Sequence, residues 1–135
     1  MLSNKQIDIK FGLQAENDLY DILKEKFDKN LVRSTDKYSR YDYYSDSCIV
    51  ELKTRRNTKD KYPTTMIGLN KFDDCLRDCS KDYYFVFNFT DGVWYWKFDK
   101  DEYDEFEKRI GGRNDRGYDE SSMYLYIPVN MLIKL

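Results

Sequence analysis

The run Cys48–Thr54 constrains the fold of this 135-residue chain more than any other segment. Strand geometry sends Ile49, Glu51 and Lys53 to one face and the intervening residues to the other. Apolar residues surround Glu51 on both faces, whereas a surface strand would be polar along one whole face. The pattern therefore predicts a central strand with a carboxylate near its end. An ionised carboxylate in such a place is costly unless it is paired or binds a metal ion.

The hairpin that precedes this strand predicts a partner for Glu51. If the two-residue loop Asp46-Ser47 joins the two strands, Asp42 lies opposite Glu51. Directly opposed residues have Cβ atoms about 4.5 to 5.5 Å apart, and like charges there destabilise a sheet. Asp42 and Glu51 are therefore expected to bind a cation between them.

An amphipathic helix supplies a third carboxylate. Residues 12–30 carry apolar side chains at steps of three and four, and this stripe passes through Glu16. Glu16, Asp42 and Glu51, with the ammonium of Lys53 beside them, would form an oxygen-rich site suited to Mg²⁺ or Mn²⁺. A metal ion held in this way serves the hydrolysis of phosphodiester bonds.

The remaining patterns predict one α/β domain spanning residues 1–135, with a central mixed sheet flanked by helices. An Asp91-Gly92 turn predicts a hairpin, because these residue types favour tight turns between strands. The predicted elements are a helix over 12–30, strands over 31–33, 40–44 and 48–54, a helix over 69–79, hairpin strands over 83–89 and 93–98, a helix over 101–110, a loop over 111–122, a strand over 123–127 and a short closing segment over 129–135.

Together these residues resemble the PD-(D/E)XK nuclease superfamily, which includes restriction endonucleases, Holliday junction resolvases and lambda-exonuclease-like enzymes. The resemblance rests on Glu16 in the first helix, then Asp42, eight intervening residues and Glu51-Leu52-Lys53 in a strand. The predicted αβββαβ order over residues 12–89 matches the core of that restriction-endonuclease-like fold.

The resemblance implies a role for each residue of the motif. Asp42, Glu51 and the backbone carbonyl of Leu52 would ligate the metal, and Glu16 would act through a water on the metal. Lys53 would be the catalytic lysine, and Lys71 in the second predicted helix would correspond to a Gln or Lys that often lies near the active site in this superfamily. Residue 41, where the motif has proline, is a tyrosine in this chain.

The function implied is a Mg²⁺- or Mn²⁺-dependent DNA endonuclease, with structure-specific, resolvase-like cleavage and a homodimer as further expectations from such relatives. RNA stays open as a substrate. The alternative is a protein that kept the fold, lost catalysis and serves as a nucleic-acid-binding, protein-binding or structural module. The chain has no histidine, so the sequence excludes catalysis by Ser-His or Cys-His and zinc or haem ligation by histidine.

Charge is unevenly distributed along the chain. The net charge is −2, yet residues 53–61 hold five basic residues and one acidic residue, and residues 99–107 hold six acidic residues and one lysine. A basic segment beside the predicted cleft is typical of contact with a phosphate backbone, although a solvated surface explains any single residue equally well. The predicted nucleic-acid contacts are Arg55, Arg56, Lys59, Lys61, Lys71, Arg113 and Arg116. Arg113 and Arg116 lie in the predicted loop over 111–122, which contains three glycines, and Arg109 is grouped with them as a candidate phosphate contact.

Cysteine usage and the N-terminus predict an intracellular protein, cytoplasmic or nuclear, with no membrane partner. The cysteines Cys48, Cys75 and Cys79 are odd in number and lack a CxxC spacing, which favours reduced thiols. The first residues lack the apolar region of a signal peptide, and no run approaches the roughly 18 apolar residues of a membrane span.

Overall fold

A computed structural model describes residues 19–35, 41–78, 80–111 and 122–135 of the chain. Residues 19–26 are helical and form helix α1. The other helices are α2 (Asp73–Arg77) and α3 (Lys100–Glu105), with short 3₁₀ turns at Lys59–Lys61, Leu69–Phe72 and Val129–Met131. The strands are β1 (Val32–Arg33), β2 (Tyr43–Tyr44), β3 (Cys48–Thr54), β4 (Thr64–Gly68), β5 (Asp82–Phe89), β6 (Gly92–Lys97), β7 (Glu107–Gly111), β8 (Ser122–Pro128) and β9 (Ile133–Lys134).

The predicted α/β class and the central position of β3 are confirmed. Within the described ranges, the main sheet is mixed and has the strand order β1-β2-β3-β5-β6-β9. Strands β3 and β5 are parallel, and the other neighbours in this sheet are antiparallel. Strand β3 is therefore covered on both edges, by β2 and by β5.

Two apolar cores lie on the two faces of β3. Ile49 belongs to one core, together with Phe72 and Phe85. Val50 and Leu52 belong to the other core, where α1 also packs. The period of two in the sequence therefore assigned Cys48, Ile49, Val50 and Leu52 to the correct faces.

A second sheet, which the sequence patterns did not predict, packs beside the first. Its described strands follow the order β4-β8-β7 and are antiparallel. Strand β4 lies in a segment between the predicted elements, although Thr65 and Ile67 are buried and alternate with the exposed Met66. The predicted strand over 123–127 does form, as part of β8, but in this second sheet.

The helix predicted over residues 101–110 is wrong in its second half. Helix α3 begins after Asp99, whose side chain accepts a 3.0 Å hydrogen bond from the backbone N–H of Glu102, and ends at Glu105. Lys108 Nζ then donates to the carbonyl oxygens of Tyr103 and Phe106 at 2.6 and 3.2 Å, satisfying groups that a longer helix would have bonded internally. The chain continues as strand β7 because residues Glu107–Gly111 pair with β8.

The aromatic hairpin of β5 and β6 is confirmed, with a shift in its turn. Phe89 pairs with Gly92, so the loop residues are Thr90 and Asp91. Gly92 has a φ of +148°, and a Cβ atom there would lie 3.0 Å from Cζ3 of Trp94. The positive φ therefore favours glycine at the first position of β6, and a Cβ atom there would also crowd the ring of Trp94.

The remaining boundaries differ only at their ends. Helix α1 stops at residue 26, short of the predicted 30, because Asp28 bonds to the N–H of Asn30 and to the hydroxyls of Ser45 and Ser47. The predicted helix over 69–79 begins as the 3₁₀ turn Leu69–Phe72 and continues as α2.

The prediction of free thiols is confirmed for the two cysteines that the structure describes. Cys48 and Cys75 are free and buried, whereas Cys79 lies outside the described residues. Among the described helices, none combines the length and the apolar character that crossing a membrane requires.

Candidate active site at the end of strand β3

Glu51 is a buried carboxylate at the centre of the candidate site. It is 6% exposed and lies on β3 opposite Phe85 of the parallel strand β5. Burial raises the pKa of Glu51 above its ordinary value, and the negative charge of Asp42 raises it further, while Lys53 and Lys71 act in the opposite sense. The site therefore holds a carboxylate whose charged form needs compensation by cations.

Asp42 reaches the same edge of β3 from the neighbouring strand. The hairpin has the predicted register, with Tyr43 opposite Val50, but ladder pairing stops there and Asp42 is not itself a paired residue of β2. Its backbone N–H donates to the carbonyl of Val50 at 3.2 Å, and its Oδ2 accepts a 2.7 Å hydrogen bond from the N–H of Leu52. This bond places the Asp42 carboxylate beside the backbone of the residue that follows Glu51.

The carbonyl of Leu52 emerges at the same edge. The N–H and C=O groups of one strand residue point to the same side, and the N–H of Leu52 points to Asp42. Asp42 and this carbonyl thus supply oxygen atoms at one edge of β3, and the carboxylate of Glu51 lies close enough for the charge of Asp42 to raise its pKa.

Two lysines contact the buried carboxylate. Lys53 Nζ lies 3.1 Å from Oε1 of Glu51, and Lys71 Nζ lies 3.6 Å from the same oxygen. Lys53 comes from β3 itself, two residues beyond Glu51, as the sequence predicted. Lys71 comes from the turn before α2, where fully buried Phe72 packs against Phe85 with ring centroids 4.9 Å apart. The sequence grouped Lys71 with the nucleic-acid contacts, and the resemblance also implied that it lies near the active site. The tertiary structure brings it to Glu51.

The oxygen atoms of Asp42, Glu51 and Leu52 are of the chemical types that bind a hard divalent cation. Carboxylate and carbonyl oxygens are the ligands that Mg²⁺ and Mn²⁺ prefer. In the described part of the chain, however, no three acidic or cysteine side chains come together as a metal site. The third predicted carboxylate, Glu16, lies outside the described residues.

Tyr41, the residue in the place of the motif's proline, ties the start of this hairpin to α2. Its hydroxyl donates a 2.5 Å hydrogen bond to Oδ2 of Asp74, and its ring packs edge-on against Tyr83 at 6.1 Å. Tyr41 immediately precedes Asp42, so this contact restrains the backbone from which the carboxylate projects.

The basic segment after β3 divides between a cavity and the surface. Arg55 and Lys59 line a cavity of about 430 Å³, whereas Arg56 and Lys61 are exposed and do not line it. Arg109 also lines the cavity, from strand β7 and not from a loop as predicted. Arg113 and Arg116 lie outside the described residues.

Two aromatic residues of this cavity were not predicted from the sequence. Tyr62 and Tyr126 line it, from the segment before β4 and from β8. The available signal was Tyr62-Pro63 between a basic run and the β-branched start of β4, but the partner wall comes from a sheet that was not predicted.

The mixed sheet, with Glu51 and Lys53 on its central strand and Asp42 just before the neighbouring strand, defines an α/β protein of the restriction-endonuclease-like type. A family model described as "Phage putative PDDEXK endonuclease" matches residues 12–134, and the chain belongs to this family. No curated protein and no solved structure matches the chain.

Proposed function

We propose that this protein is a metal-dependent DNA endonuclease that hydrolyses phosphodiester bonds at the edge of β3. Membership of a PD-(D/E)XK endonuclease family supports the class of reaction. The observation that assigns the proposed reaction to particular residues is that Asp42, buried Glu51 and Lys53 lie close together beside the backbone of Leu52.

Asp42 and Glu51, with the carbonyl of Leu52, would hold Mg²⁺ or Mn²⁺, and Glu16 would complete the set. When bound, the ion polarises a phosphoryl oxygen and favours attack by water. The hydrogen bond from Leu52 keeps Asp42 in place, so that its carboxylate is oriented before the ion enters. Burial keeps Glu51 dry, which strengthens its electrostatic interactions with any cation beside it.

Lys53 is the residue that acts on the substrate. Its ammonium lies beside Glu51 and is partly exposed, with 31% of its side chain accessible to solvent. From there Lys53 orients the attacking water and offsets the negative charge that develops on the phosphate. Lys71 neutralises the remaining charge of Glu51 and keeps this carboxylate in one orientation.

The experiment is a nicking assay on supercoiled plasmid with Mg²⁺, with Mn²⁺ and with a chelator. The wild-type protein should nick only with metal, and Asp42→Asn and Glu51→Gln should lose the activity. Asp46→Asn, in the turn of the same hairpin, and Glu105→Gln are matched controls, because both residues are exposed. The proposal fails if Asp42→Asn or Glu51→Gln cleaves as fast as its control.

The form of the nucleic acid is a finer part of the proposal. A panel of linear duplex, single strand, flap, four-way junction and RNA, with and without Mn²⁺, tests DNA specificity and resolvase-like preference. Sedimentation velocity with and without the favoured substrate tests the homodimer that the resemblance implies.

A second function is favoured by one observation: Lys53 and Lys71 both lie within ion-pair distance of Glu51, so two cations stand beside this carboxylate and nearby Asp42. A nuclease-fold protein that binds nucleic acid or protein without cleaving would present such a site. Calorimetric titration separates the two functions, since the endonuclease should bind Mn²⁺ and lose that binding in Glu51→Gln.

A further inference from the structure

The cavity beyond Lys53 lies between the two sheets and has no role in the hydrolysis described above. Its volume of about 430 Å³ falls within the roughly 300–1,000 Å³ of ordinary ligand pockets. Arg55 follows Lys53 by two residues, a distance of about 7 Å along an extended chain. A ligand in the cavity would therefore lie next to whatever occupies the candidate active site.

The charged side of the cavity selects an anion. Its lining includes Arg55, Lys59 and Arg109 and, among the described residues, no acidic residue. Arg55 is partly buried, and its guanidinium donates a 2.8 Å hydrogen bond to the carbonyl of Met66, while no carboxylate in the described part of the chain contacts it. Burial without an acidic partner lowers the pKa of Arg55 from its usual value. An anion in the cavity would compensate this cation.

The other side of the cavity selects a flat apolar group. Tyr62, Phe89 and Tyr126 contribute aromatic rings to the lining, and Pro63 and Met66 add apolar surface. Tyr126 is held by Arg109, whose guanidinium carbon lies 4.2 Å from the centre of the ring. Lys59 and Arg109 pair with Asp60 and Glu107, which do not line the cavity. A phosphate alone would use only the cations, and an apolar ligand would leave the guanidinium of Arg55 without an anion.

We propose that this cavity binds one unpaired nucleotide of the nucleic-acid substrate, with its base against the aromatic side chains and its phosphate against Arg55 and Arg109. Both faces of a base inside a duplex are stacked on neighbouring bases. Only an unstacked base can therefore place a face against Tyr62 and Tyr126. The site therefore favours substrates with a bulge, flap or single-stranded stretch beside the scissile bond. This inference rests on the proposed function only in taking nucleic acid as the ligand.

The test measures binding in the presence of a chelator, so that no cleavage occurs. The probes are a duplex with one bulged 2-aminopurine nucleotide, the same duplex fully paired, the free mononucleotide, and inorganic phosphate. The bulged duplex should bind roughly 5- to 150-fold more tightly than the paired one, the range that stacking one base on aromatic side chains provides. The 2-aminopurine fluorescence should fall on binding.

Variants of exposed residues connect the effect to the cavity. Tyr62→Leu should remove most of the preference for the bulge and Arg109→Gln should weaken binding of the bulged duplex, since 54% of Tyr62 and 59% of the Arg109 side chain are exposed and neither is needed to fill a core. Tyr44→Leu and Arg77→Gln are the matched controls, with exposures of 46% and 75%, and neither residue lines the cavity.

Three outcomes would overturn the inference: equal affinity for bulged and paired duplex, equal loss in Tyr62→Leu and Tyr44→Leu, or binding of the free mononucleotide as tight as that of the bulged duplex. The last would assign the cavity to a free nucleotide. The nicking assay reports separately on the proposed function. A Tyr62-dependent bulge preference in a protein that never nicks supports the pocket alone, and nicking without that preference overturns the pocket alone.

Discussion

The backbone N–H of Leu52 donates a 2.7 Å hydrogen bond to Oδ2 of Asp42, across the edge of the strand that carries Glu51. Asp42 is thus both a charge for the candidate metal site and an acceptor for a backbone group of a buried residue. The two contributions are separable by substitution, because asparagine keeps an acceptor oxygen and alanine does not.

Asp42→Ala should cost more stability than Asp42→Asn, while both should stop cleavage. Alanine leaves the N–H of Leu52 without its acceptor, which costs about 1–3 kcal/mol of unfolding free energy. Urea unfolding of the two variants with a chelator present measures the difference. Equal unfolding midpoints for Asn and Ala would show that this hydrogen bond does not hold the edge of β3.

Removing a lysine beside Glu51 should strengthen metal binding and weaken catalysis. Lys53 and Lys71 occupy the negative potential that a divalent cation would use, so Lys53→Met and Lys71→Met should each tighten Mn²⁺ binding by roughly 3- to 10-fold. Lys53→Met should also slow cleavage by roughly 10²- to 10⁴-fold, the range for a positioned acid-base group, and Lys71→Met should slow it less.

Calorimetry with Mn²⁺ and single-turnover cleavage rates measure the two effects. Lys97→Met is the control, because Lys97 forms an exposed ion pair with Asp82 on another part of the sheet. Weaker Mn²⁺ binding in both lysine variants would contradict the competition between lysine and metal.

Tyr41→Phe should loosen the hairpin that carries Asp42. The variant loses the 2.5 Å hydrogen bond to Asp74 and keeps the ring, so the expected cost is about 0.5–1.5 kcal/mol. Because Tyr41 precedes Asp42, cleavage should fall with stability. Tyr44→Phe, at an exposed position of β2 in the same hairpin, should change neither the unfolding free energy nor the rate.

Asp28→Asn should destabilise the protein in a pH-dependent way. Hydrogen bonds from Ser47, from the N–H of Asn30 and from Ser45 hold the pKa of Asp28 at about 2, below its ordinary value of 3.8. A depressed folded-state pKa stabilises the fold above the unfolded value, and this contribution is lost as pH falls from about 4 towards 2. Asp28→Asn should therefore melt below the wild type at pH 7, and the gap should close in that acid range.

Thermal unfolding from pH 7 down to pH 2 measures this dependence. Asp46→Asn serves as the control, since Asp46 is an exposed carboxylate in the adjacent turn. A gap between wild type and Asp28→Asn that stays constant down to pH 2 would rule out the proposed linkage.

Binding of DNA should weaken with salt through the exposed basic residues after β3. Arg56→Gln and Lys61→Gln should each reduce the slope of log affinity against log salt by about 0.9 for every phosphate that the variant no longer neutralises. Arg77→Gln, on α2, should leave the slope unchanged. Unaltered slopes for Arg56→Gln and Lys61→Gln would place the phosphate backbone elsewhere.

Sequence patterning was reliable where the local chain dictates geometry. Alternation along Cys48–Thr54 placed the apolar side chains on the correct faces, and the length of the Asp46-Ser47 turn fixed the hairpin register up to Tyr43. It failed at residues 107–110, where Phe106 and Ile110 keep a helical spacing. Ile110 is 70% exposed, so this spacing reflects no buried helix face.

The sequence by itself therefore determined the strand, the hairpin and the approach of Asp42 to Glu51, because turn length and the period of two are local properties. The tertiary structure alone decided the second sheet and the cavity that Arg55, Tyr62 and Tyr126 line, and it brought Lys71, expected near the site only from the resemblance, into contact with Glu51. These depend on which distant segments pair and pack. Burial of Phe72 against Phe85 and the pairing of β4, β7 and β8 set those positions, and no local period specifies which distant segments pair.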